Sequence, residues 1–118
     1  MNNIITSNYV YGIHADSTSH PSVSYNDVWG NGWSGYADFY GTNGGMGGIS
    51  KDPRFVSFFD AHLLCSSPAI NTANPNSALA PLVDYDNQPR PVGGRLDMGA
   101  LEKQSELFCP LYLPLVLR

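Results

Sequence analysis

The sequence predicts an all-β chain wound as a solenoid, and three observations carry that expectation. Gly (12) and Pro (9) are abundant in 118 residues; both are poor in helix interiors and both serve turns. No stretch holds apolar residues at helical spacing over three turns. Residues 3–12 and 26–35 match at an offset of 23 positions, Asn3 with Asn26, Ile5 with Val28, Asn8 with Asn31 and Gly12 with Gly35. The apolar pair suits the inward side of a strand. Asn and Gly suit sharp corners, because they tolerate left-handed backbone. A period just above 20 with this chemistry fits one turn of a β-solenoid. An antiparallel β-sandwich is the alternative.

The length allows one small domain. The net charge is −4, and the six Lys and Arg residues are scattered. No basic stripe exists to follow a phosphate backbone, so nucleic acid is excluded as a partner class.

Residues 1–40 are expected to be the last rungs of a truncated solenoid. Before Asn26 runs Ser22-Val23-Ser24-Tyr25, an alternating strand, whereas before Asn3 stand only Met1 and Asn2. The first rung is therefore expected to lack its leading strand, and the missing N-terminal rungs of the same protein are its expected partner. The opening residues lack the positive region and long apolar core of a signal peptide, so any export signal is expected off this chain.

Residues 29–50 read as a long loop, with residues 41–48 its Gly-rich part. Trp29, Trp33, Tyr36 and Tyr40 are candidate carbohydrate-binding residues, because flat rings suit the apolar faces of pyranoses. The competing reading is that they cover the core. The Gly44–Gly48 run is no phosphate loop, since it lacks the Lys-Ser/Thr ending.

Residues 49–102 read as a C-terminal cap. Pro53 biases Asp52 toward extended backbone. Phe55, Phe58 and Phe59 are expected core anchors. Two further stretches follow, Ser67-Pro68-Ala69-Ile70 and the run from Asp84-Tyr85-Asp86-Asn87 through Arg90-Pro91-Val92-Gly93-Gly94-Arg95 to Leu96-Asp97-Met98-Gly99-Ala100-Leu101-Glu102. Together these resemble the closing segment of a right-handed parallel β-helix of the pectin-lyase-like type, and more narrowly the choice-of-anchor Q domain of exported bacterial surface proteins. The resemblance covers most of residues 2–102 and is strongest over 84–102. It implies a right-handed parallel β-helix, C-terminal rungs plus cap, at the cell surface or outside the cell. One departure stands out. The family continues Ser-Pro-Ala-Ile with Asp-Ala-Gly, whereas this chain has Asn71-Thr72-Ala73.

Asp86, Arg90, Arg95 and Asp97 are the candidate structural residues of the cap. Leu96, Met98 and Ala100 alternate with Asp97, so residues 96–101 are expected to form a strand with one apolar face. Asp97 is placed to accept a bidentate bond from Arg90 or Arg95. The acids of residues 84–87 do not make an EF-hand, because Pro89 and Arg95 stand where Gly and Glu are needed. A looser Ca2+ site there is the one cofactor left open, against a turn whose Asp and Asn bond their own backbone.

No catalytic residue is legible. His14, His20 and His62 lack zinc spacing, there is no nucleophile elbow, and the Asn-Thr-Asp, Asp-Asp and Gly-His-Gly hallmarks of polygalacturonases are missing. Cys65 and Cys109 form no CxxC. A bridge would close a loop of about 45 residues and contribute on the order of 4 kcal/mol, but two unpaired thiols are the reading preferred. Residues 103–118 form an apolar tail too short to span a bilayer, which takes about 20 residues, and broken by Pro110 and Pro114. It is expected to serve sorting or attachment. The function expected is therefore non-catalytic: capping an exported solenoid and linking it to its tail, with a polysaccharide or the cell envelope as partner. The alternative is a piece of a polysaccharide lyase or glycoside hydrolase whose active site lies on other rungs.

Overall fold

A computed structural model describes residues 1–33, 35–77, 83–104 and Cys109. Among them the chain is all-β, without a helix. Six short strands, β1 (Ile4–Thr6), β2 (Ile13–His14), β3 (Asp27–Trp29), β4 (Phe39–Tyr40), β5 (Phe55–Ser57) and β6 (Asp60–Leu63), form three two-stranded sheets and no closed barrel.

The sequence repeat is a pairing register. β1 lies parallel to β3 with Ile4, Ile5 and Thr6 opposite Asp27, Val28 and Trp29, an offset of 23. β2 lies parallel to β4, with Ile13 opposite Phe39. Parallel bridges from Ser24 to Met46 and from Asp27 to Ile49 bring the chain back a third time. The Gly-rich run is thus no free loop. A Cβ on Gly45 would stand 1.8 Å from the Val23 carbonyl oxygen, and one on Gly47 would strike the Tyr25 ring. At these two positions only a residue without a side chain lets this return approach the preceding one.

The matched asparagines do not hold left-handed corners. Positive φ falls one residue earlier, at Asn2 and Tyr25 and again at Ser7 and Gly30, each pair itself 23 apart. The asparagines brace adjacent returns instead. Asn26 Oδ1 accepts from the backbone N–H and the amide of Asn3, both at 3.0 Å. Asn31 Oδ1 accepts from the same two groups of Asn8 at 3.0 and 2.9 Å, while its amide donates to the Ile5 carbonyl and to Asp38. Each Asn thereby satisfies backbone that a corner would leave unpaired.

The main core cluster is Leu63, Ala69, Ala73, Leu96 and Met98, with Ile4, Tyr25, Ile49, Phe55 and Ile70 packed on it. Residues from all three returns, Ile4, Tyr25 and Ile49, contact this one cluster, so the closing segment runs along a face of the stack.

Several expectations need correction. Phe58 and Phe59 are not core anchors; they stand 86% and 95% exposed at the turn of the antiparallel β5–β6 hairpin, and Phe55 alone of the three packs inward. Residues 96–101 form no strand. Their backbone bonds go to irregular segments, Met98 N–H to Ala69, Gly99 N–H to Asn2, and Leu96 C=O from Ala73, with Gly99 at φ +97° breaking the extended run. Leu96 and Met98 are nevertheless buried. Cys65 and Cys109 are not free thiols but a disulfide, with Cα atoms 5.2 Å apart. Residues 78–82 and, Cys109 apart, residues 105–118 of the tail lie outside the described residues. Among the described residues no helix is long and apolar enough to cross a membrane.

Candidate functional site

The closing segment is held by three buried carboxylates that collect backbone N–H groups. Asp84 Oδ1 accepts from Asp86 and Gln88 N–H at 2.9 Å, and its Oδ2 from Glu102 N–H at 3.0 Å. Glu102 accepts from Val92 N–H at 2.9 Å and Asp97 N–H at 3.0 Å. Asp97 accepts from Asn71 N–H at 2.8 Å and Lys103 N–H at 2.6 Å. Burial would raise the Asp84 carboxyl, but the three N–H groups and the Arg90 charge outweigh it and hold the group low. At Asp97 burial wins and pushes the carboxyl up to about 6, with the Glu102 charge adding to it.

Neither Arg90 nor Arg95 pairs with the Asp97 carboxylate. Arg90 sits 3.4 Å from Glu102 Oε2, close enough for charge pairing but without hydrogen-bond alignment at Nε, and its Nη2 donates to the Asp97 carbonyl at 3.2 Å. Arg95 donates to the carbonyls of Ala73 at 2.5 Å and Thr72 at 3.2 Å. The sequence reading missed Glu102. Its signal was a lone acid just after the apolar stretch Met98–Leu101.

Asn71 ties the Ser-Pro-Ala-Ile stretch to the closing segment. It adopts φ +55°, which Asn tolerates, and with its amide nitrogen turned inward it donates to the carbonyls of Val92 and Arg95 at 3.2 and 2.7 Å. An ionised Asp has no proton to give there. Ser67 of the Ser-Pro-Ala-Ile stretch is likewise a tie: its hydroxyl donates to the Pro53 carbonyl at 2.5 Å and accepts from Ala69 N–H at 3.2 Å.

Asp86 faces away from this lattice. Its Oδ2 lies 2.5 Å from His62 Nε2, and Asp60 contacts the opposite ring nitrogen, Nδ1. The two carboxylates raise the His62 pKa, Asp60 more than Asp86. With Asp84 bound to backbone and Asp86 to His62, the 84–87 acids are engaged as turn and tether. Among the described residues no three His, Cys, Asp or Glu side chains converge to hold a metal.

The four candidate carbohydrate aromatics separate. Tyr36 and Tyr40 share a surface cluster with Tyr11 and His14: Tyr11 lies 5.1 Å from each tyrosine, and His14 stacks edge-on at 4.9 Å against Tyr40. Tyr11 and His14 were not legible as partners, because the β2–β4 register that sets His14 beside Tyr40 spans 26 residues, not 23. Trp33 is 75% exposed and makes its backbone bond to Tyr9. Trp29 lies elsewhere, in an open cleft of about 540 Å3 with Thr6, Ser7, Arg54, Phe58 and Leu64.

Asp27 is fully buried on β3 between Ile4 and Ile49. Its Oδ1 accepts from Lys51 N–H at 3.1 Å and its Oδ2 has no partner. Burial, with the charges of Asp38 and Asp52 adding, pushes its carboxyl up to about 6. Compared with known protein families, curated proteins and solved structures, the chain matches none of them.

Proposed function

We propose that this chain is a non-catalytic, terminal part of an exported right-handed parallel β-helix protein at the cell surface, closing the solenoid and joining it to an attachment tail. The observation that carries the reading is the parallel return of the chain at an offset of 23 residues, with Asn3 stacked on Asn26 and Asn8 on Asn31. Identical residues stacked at one repeat are what neighbouring solenoid turns require. The carboxylate lattice favours a structural role over catalysis, since the oxygens of Asp84, Asp97 and Glu102 already accept backbone N–H groups. Solenoid ends left open pair with other chains, so a fusion tests the reading. Joined to an idealised parallel solenoid of 23-residue turns, the chain is expected to keep the fusion monomeric in analytical ultracentrifugation, and deleting residues 49–102 should restore aggregation. Aggregation with the segment intact would sink the capping role.

The Tyr11–His14–Tyr36–Tyr40 cluster supports a second reading, a stacking surface for the polysaccharide partner, because Tyr36 and Tyr40 are among its exposed rings. Glycan-array binding that survives Tyr36→Ala with Tyr40→Ala would remove it.

A further inference from the structure

His62 occupies an unusual position for an exposed imidazole. It stands on β6 with Asp60, from its own strand, at Nδ1 and with Asp86, from the 84–88 turn, at Nε2. The two carboxylates lie on opposite ring nitrogens, so they do not converge on a shared cation. They demand protons instead. A neutral imidazole has one N–H and one lone pair. It can donate to only one of the two carboxylates, and the other oxygen then faces a lone pair. Both contacts are attractive together only when both nitrogens carry protons.

The other charged groups of the facing turn are directed inward. Asp84 accepts the N–H groups of Asp86, Gln88 and Glu102, and Arg90 lies against Glu102. The ring is thus answered by Asp60 and Asp86. The hydrogen bond that joins β6 to the turn runs through this ring. The hairpin it fastens carries the exposed Phe58–Phe59 pair, whose rings meet edge to face at 5.1 Å. On its inner side lie Phe55 and Leu63, over a cavity of about 150 Å3 shared with Ile4 and Met98.

We propose that His62 is a proton-operated clasp: its imidazolium, bridging Asp60 and Asp86, fastens the β5–β6 hairpin to the closing segment, and loss of one ring proton leaves one carboxylate facing a lone pair and loosens the hairpin from the 84–88 turn. The clasp stands apart from the solenoid reading, because it needs only the hairpin and the turn. The sign follows from linkage. A histidine whose pKa is raised in the folded state contributes its full stabilisation below the ordinary value of 6.5 and loses it as pH rises through the raised value. At the acid end the clasp weakens when the carboxylates protonate, and the N–H groups of His62 hold Asp60 below its ordinary pKa. The device is therefore closed in mildly acidic solution and open in alkaline solution.

The test is a histidine NMR titration of the whole chain, with amide hydrogen exchange corrected for the intrinsic rate at each pH. The His62 Cε1–H midpoint is expected above that of free imidazole side chains, because Asp60 and Asp86 both favour the charged ring. In the Asp27→Asn variant, which removes the buried carboxyl that titrates in the same range, protection of the His62, Leu63 and Leu64 amides is expected to fall about tenfold across that midpoint, while the Val28 and Ile49 amides of the parallel stack stay constant. Asp86→Asn should lower the midpoint and flatten the step. His62→Gln, which offers no second charged donor, should leave the hairpin weakly protected at every pH. A midpoint at or below the ordinary value, an unchanged step in Asp86→Asn, or simultaneous loss of protection at Val28 and Ile49 in the Asp27→Asn variant would each overturn the clasp.

Discussion

Asp27→Asn is expected to stabilise the fold at pH 8 relative to pH 4. The carboxyl is fully buried with one oxygen unpartnered, and its pKa is raised from 3.8 to about 6. Such a group favours folding most below pH 3.8, and its contribution is lost as pH climbs through the raised value. One pKa unit is about 1.4 kcal/mol. The ionised form therefore costs up to about 3 kcal/mol at pH 8, against about 0.5 kcal/mol near pH 4. The amide has the same shape and no titrating proton, but its NH2 finds no acceptor, a constant penalty of about 1–3 kcal/mol. The penalty cancels when the two pH values are compared. Urea unfolding followed by tryptophan fluorescence at both pH values should show the stability difference between variant and parent moving toward the variant by roughly 2 kcal/mol. A difference that stays constant, or moves the other way, refutes the account of Asp27 as a buried charge.

Two further outcomes follow from the same contacts. Reducing the Cys65–Cys109 bridge, which spans 44 residues, should lower stability by about 4 kcal/mol; equal urea midpoints with and without reductant would show that the bridge contributes nothing. Asn31→Ala removes bonds to Asn8, Ile5 and Asp38 and should cost about 1–3 kcal/mol in thermal unfolding, whereas the more exposed Asn8→Ala should cost clearly less. Matching losses would contradict the bracing role of Asn31.

The register of the parallel stack was legible because a repeat leaves the same residue types at the same interval. The 23-residue offset read from Asn3, Ile5, Asn8 and Gly12 is the pairing of β1 with β3. The third return was not legible. It pairs at 22 residues, Ser24 with Met46 and Asp27 with Ile49, and glycines carry no side-chain pattern to align. The fate of Phe58 and Phe59 was hidden because hydrophobicity alone does not reveal a hairpin turn; Asp60 and Ser57 close the pairing and leave both rings outside it. In the closing segment the charged residues were visible but their partners were not. Asp97 looked ready for an Arg, yet the nearest unpaired backbone, the N–H groups of Asn71 and Lys103, claimed it first. Composition does not encode which of several donors lies closest after the loops have folded.

The Cys65–Cys109 link also decides how the molecule would carry load. A pull applied beyond Cys109 enters the fold at Cys65 through sulfur, so the backbone between the two cysteines lies outside the covalent load path. The closing segment held by the carboxylate lattice then meets the load through its hydrogen bonds to Asn2 and His62 and not through its own backbone. The strain falls on the hairpin and the returns that precede it.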